Sequence, residues 1–156
     1  MNIEILKNLR DNPSSGSFVN EPISEQEIAV LEQEFNGGNL FPKALRELLF
    51  LAGKFCIIFD YGLNESQMEL QIDARSDLPD YNRVIDRPYY IIDVYNAGQQ
   101  FLFVYLDESQ LDPILYEASL AHREYEFRPW VHTLERTLSQ FIQLRLDAVK
   151  QGYNPF

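Results

Sequence analysis

A chain of 156 residues that is 46% apolar and 13% aromatic can bury a core and is neither disordered nor fibrous. Its formal net charge of −11 argues against nucleic-acid binding, because phosphates would be repelled. The excess sits in the middle: residues 57–120 hold 12 acids and three arginines, a balance of −9, against −3 before and +1 after. No apolar run reaches the length of a bilayer crossing, and the opening MNIEILKNLRDN lacks the apolar centre and small-residue cleavage site of a secretory leader. Cys56 is the single cysteine, and its setting, FCIIF, suggests a buried, reduced thiol. A cytoplasmic protein without membrane contact is expected.

In chain order, MNIEILKNLRD reads as a short helix and NPSSGS as a loop. Ser24 and Glu27 have the spacing of a capping box, with Ile23 and Ile28 placed for a hydrophobic staple. The helix they open carries Ile28, Leu31 and Phe35 on one side, turns Glu25, Glu27, Glu32 and Glu34 to water, and stops at Asn36-Gly37-Gly38. Pro42 suits the first turn of the next helix. There Leu45, Leu48, Leu49 and Ala52 form a buried stripe that ends at Gly53.

After Gly53 the period changes. KFCIIFDYG and MELQID read as strands and ARSDLPDYNRVIDRP as a polar loop. In YYIIDVYNAGQQFLFVYLDE two apolar runs flank Asn96-Ala97-Gly98-Gln99, a hairpin whose strands should be central and covered on both faces. DPILYEA is a further strand, and SLAHREYEFRPWVH is ambiguous. Thr137 and Gln140 repeat the capping-box spacing before a last helix with Leu138, Phe141, Ile142, Ala148 and Val149 near one face; Gly152 closes it, and YNPF is a tail. The expected fold is α+β in one domain, residues 1–156: N-terminal helices, a central antiparallel sheet and a C-terminal helix packed on it.

Two stretches, ISEQEIAVLEQEFNGGNLFPKALRELLFLAGKF and the hairpin just quoted, together with TLSQFIQLRL, resemble the SUKH superfamily in order and spacing. The resemblance covers a core of about 24–152 and leaves the first helix as an addition. It implies a non-catalytic scaffold for protein recognition. Bacterial members look like immunity proteins that neutralise a cognate toxin, and fungal members resemble regulators of cell-wall synthesis.

The residues themselves give weak signs of chemistry. His122 and His132 fit no zinc spacing, and there is no G-x-S-x-G elbow or phosphate-cradling loop. No metal, cofactor or catalytic residue is assigned. A hydrolase using paired acids such as Asp107-Glu108, or using Cys56, stays open. Acids and tyrosines together stand out: Tyr61, Tyr89, Tyr90, Tyr95, Tyr105 and Tyr116 lie in or beside strands, among Asp60, Asp93 and Asp107. Ordinary packing also accounts for each tyrosine, and for Trp130. Asp93 interrupts an apolar strand, so it must be paired or face a cleft at an edge. The expected partner-binding set is Asp60, Tyr61, Asp93, Tyr95 and Asp107. The partner that the resemblance implies is a cognate toxin, such as a basic nuclease, or another protein.

Overall fold

The computed structural model describes residues 1–123 and 127–153; part of the ambiguous stretch and most of the YNPF tail therefore lie outside the described residues. Helices α1 (Lys7–Asp11), α2 (Glu25–Phe35) and α3 (Lys43–Ala52) come first, with a two-residue-strand hairpin whose first strand, β1 (Ser14–Ser15), lies inside the stretch NPSSGS expected to be loop and whose second, β2 (Phe18–Val19), directly follows it. Helix α4 (Gln67–Ser76) and a 3₁₀ turn (Pro79–Tyr81) lead to a meander of β3 (Tyr89–Tyr95), β4 (Gln100–Tyr105), β5 (Ile114–Ser119) and β6 (Val131–Thr137). Helix α5 (Leu138–Lys150) closes the chain. The four strands are antiparallel in the order β3-β4-β5-β6, so the fold is α+β with the last helix packed on the sheet. No helix among the described residues is long and apolar enough to cross a membrane.

Both capping boxes form: Ser24 and Glu27 satisfy each other's backbone N–H groups, as do Thr137 and Gln140. Pro42 sits one residue earlier than expected, as the residue before the first turn of α3. Gly53 is required by space rather than by φ, since a Cβ there would come within 2.5 Å of the Leu49 carbonyl oxygen and 2.7 Å of Ile23. One core, between the sheet and helices α2, α3 and α5, gathers Tyr90, Ile92, Leu102, Val104 and Leu115. A second core, on the opposite face under α4, gathers Ile91, Val94, Phe101 and Phe103. Trp130 packs against the second.

Four expectations need correction. MELQID is helical, not a strand: Ser66 caps α4 by accepting from the Glu69 N–H, and Gln67, Leu70, Gln71 and Ala74 point inward at helical spacing. KFCIIFDYG makes no strand. Its buried backbone is held by side chains instead, the Ile57 N–H donating to Asn20 (2.8 Å) and the Ile58 carbonyl accepting from Arg145 (2.6 Å). Glu32 is buried rather than solvated, accepting from the Phe41 N–H at 2.8 Å and lying 3.0 Å from Arg46. Finally, β3 is covered on both faces yet stands at the sheet edge.

That edge is closed by a side chain. The Gln71 amide accepts from the Ile91 N–H (3.0 Å) and donates to the Ile91 carbonyl (2.6 Å), doing what a neighbouring strand would do. Arg75, stacked between Phe35 and Tyr89, donates to the Tyr89 carbonyl one step along (2.7 Å). Replacing Gln71 by the near-isosteric methionine orphans both Ile91 groups. Denaturant unfolding should record a loss of at least about 2 kcal/mol, the cost of two unmet buried hydrogen bonds; an unchanged midpoint would refute the edge role.

Candidate functional site

The β3–β4 hairpin pairs Ile91 with Phe103 but Asp93 with Leu102, so Ile92 is the extra residue of a bulge. Strict alternation would leave Asp93 on the α4 face beside Ile91. The bulge turns it to the α5 face, where Arg145 waits one turn before Val149. Asp93 is only 2% exposed. Its Oδ2 accepts from Arg145 Nη1 at 2.7 Å and its Oδ1 accepts from the Asp60 N–H at 2.7 Å. The guanidinium also donates to the Ile58 carbonyl and lies against the rings of Phe59 and Phe141, 5.3 and 4.8 Å from their centres. Burial pushes the Asp93 carboxyl up to about 6, against the opposing pull of Arg145 and the Asp60 N–H.

This pair floors an open cleft of about 680 Å³. One wall is Asp60, Gly62 and Leu63; the other is Tyr95 with the turn Asn96, Ala97 and Gly98. Asn96 and Ala97 both have left-handed backbones, with φ of 52° and 54°, a strained geometry for residues with a Cβ. The Asp60 side chain is exposed, its Oδ1 accepting from the Gly62 N–H (2.8 Å). The Asp60 carbonyl accepts from the Val94 N–H (3.0 Å), so the acidic lip is tied to β3 twice. Tyr95 donates to Glu117 Oε2 at 2.7 Å, and His132 lies 3.9 Å from the other Glu117 oxygen. Burial and then Glu117 push the Tyr95 hydroxyl well above the phenol range.

Of the five expected partner-binding residues, Asp60, Asp93 and Tyr95 line this cleft. Asp93 does so as a paired floor rather than an exposed contact. Tyr61 is turned inward: its hydroxyl donates to the Ala52 carbonyl (2.9 Å), and burial raises its pKa well above the usual value. Asp107 stands at the opposite end of the hairpin, where Tyr89 pairs with Tyr105, roughly 20 Å along the strands from the turn. There Arg87 grips Asp107 in a two-bond fork of 2.6 and 3.0 Å, which holds its carboxyl below the usual range. The expected set is therefore divided between the two ends of the hairpin, with Tyr61 turned inward.

Arg145 was invisible to a reading that counted only apolar positions on the last helix. Its signal is a basic residue three positions after the buried Ile142 and one before the buried Leu146, where a solvated side chain has no place. Among the described residues no group of three or more His, Cys, Asp or Glu is arranged to hold a metal ion. What the fold and cleft define is a class only: an α+β protein with an open, acid-lipped cleft at a hairpin turn. No family model, curated protein or solved structure matches the chain.

Replacing Arg145 by methionine leaves Asp93 buried without its counter-ion. Above pH 7, where the carboxylate is ionised, unfolding should show a loss of roughly 3–5 kcal/mol. Asp93 holds its proton more tightly folded (about 6) than unfolded (3.8), so the part of stability linked to that proton is full below pH 3.8 and is lost as pH rises through 6. The variant should therefore suffer much less near pH 5 than near pH 8. An equal penalty at both would refute the pairing.

Proposed function

We propose that this chain is a cytoplasmic, non-catalytic immunity protein that neutralises a basic toxin by covering it with the acidic lip of the hairpin-end cleft. The observation that carries the reading is the division of labour in that cleft. Asp93, Tyr61 and Tyr95 are committed to internal hydrogen bonds, while the Asp60 carboxylate is exposed on a doubly tied backbone. A fixed, solvent-facing acid beside an open concavity suits recognition of a cation on another protein. The surplus of −9 over residues 57–120 would hasten that encounter, and the resemblance to the SUKH superfamily supports the same role. A regulatory scaffold linked to cell-wall synthesis would use the same surface, and genomic context separates the two.

A hydrolase reading finds less support. Burial pushes the Cys56 thiol up to about 12, leaving almost no thiolate for attack. Asp107 and Glu108 are engaged by Arg87, and Glu108 also accepts from Tyr116 (3.0 Å).

Calorimetric titration against the product of a toxin-like gene adjacent to this one should give binding at micromolar concentration or tighter; none would contradict the proposal. Stopped-flow association of Asp60→Lys should be slowed by about tenfold at low salt, with the effect shrinking as salt rises. Asp107→Lys, at the far end of the hairpin, should change the rate much less. Equal effects would move the interface.

A further inference from the structure

A second concavity, of about 390 Å³, lies between α2 and the start of α4, away from the hairpin-end cleft. Its walls are largely apolar: Pro22 and Ile23 before α2, Val30 and Leu31 on α2, Gly53 after α3, and Met68 in the first turn of α4. Val30 is 58% exposed although its neighbours on that side of the helix, Gln26, Glu27, Gln33 and Glu34, are polar. The apolar surface continues past the groove. The backbone of Phe55 pairs with Glu21, directly before Pro22, and the Phe55 ring stacks on Phe18 with centres 6.0 Å apart. Phe18 is 63% exposed, Val19 53% and Phe55 36%. Val30 lines the groove, and the exposed Phe18, Val19 and Phe55 lie on the chain segments that lead into its lining residues Pro22 and Lys54.

The rim carries more acid than base. Glu27 and Glu65 line the groove, and its single cation, Lys54, is ion-paired with Glu21 at 2.8 Å. We propose that this groove is a docking surface for a partner segment bearing one large apolar side chain flanked by lysines or arginines. The apolar side chain fills the space over Ile23, Gly53 and Met68, its shoulders lie on Phe18 and Val30, and the flanking cations meet Glu27 and Glu65. The volume is that of a site for one aromatic side chain and its neighbours, at the small end of ligand pockets. The acidic rim selects a basic segment and disfavours an acidic one. The inference does not depend on the hairpin-end cleft.

The test uses the whole ¹⁵N-labelled chain and two synthetic blocked pentapeptides, Lys-Lys-Phe-Lys-Lys and its twin with glutamate for every lysine. The lysine peptide should move the amide signals of Ile23, Val30, Gly53 and Met68 saturably, with the glutamate twin at least about tenfold weaker. Val30→Lys should weaken the lysine peptide by a similar factor, whereas Ile72→Lys, on the exposed side of α4, should not. Equal binding of the twins, shifts confined to Asp60 and Gly98, or no shifts at all would overturn the proposal. So would concentration-dependent broadening of these same signals before peptide is added, which would make a second copy of the chain the occupant.

Discussion

The buried contact between Asp93 and Arg145 is the constraint on which the hairpin end of this molecule depends. A carboxylate in the middle of an apolar strand is costly unless it is paired. The β3 bulge exists at the point where that cost would otherwise fall, and it turns the side chain toward α5. Once paired, the two groups act as a clamp: Asp93 takes the Asp60 N–H and Arg145 takes the Ile58 carbonyl. The irregular segment between α3 and α4 is thereby tied to both the sheet and the last helix. Its end, the Asp60 lip, acquires a fixed place beside the hairpin turn.

The same device recurs. At several buried places among the described residues where the backbone lacks a regular partner, a polar side chain supplies one. Gln71 closes the β3 edge, Asn20 meets Ile57, and Glu32 holds the start of α3 by accepting from Phe41. Glu47, fully buried, accepts from three successive N–H groups at Glu4, Ile5 and Leu6 and fixes the chain ahead of α1. Buried backbone groups must be satisfied, and each of these residues would leave orphans if truncated. The segments ahead of α1 and before α4 are thereby tied to α3, β3 and α5.

This device also marks the limit of what the sequence revealed. The capping boxes at Ser24 and Thr137 and the hairpin around Asn96-Ala97-Gly98-Gln99 were legible because their signals lie within a few residues. Helix α4 lacks an apolar helical period because two of its four inward positions are glutamines; the Ser66 and Glu69 spacing is the better guide. KFCIIFDYG has strand-like composition, but strand composition reports burial on several sides as readily as pairing. Asp93 was rightly singled out as needing a partner or a cleft, and it has both. Its partner lies 52 residues away on a helix, a distance no local pattern spans. Asp107 was grouped with it by composition, and the antiparallel meander sends the two to opposite ends of the hairpin.

At the hairpin-end cleft an exposed carboxylate, Asp60, is tied through its backbone to β3 beside an open concavity. Because Asp93 and Arg145 hold it there, the state of the Asp93 carboxyl reports directly on the whole arrangement. The decisive measurement is a ¹³C-carboxyl NMR titration of Asp93 with the Asp60 amide followed in the same samples. The account predicts a midpoint near 6 with the Asp60 amide moving in step. An Asp60 amide that stays unmoved while the Asp93 carboxyl titrates would contradict it.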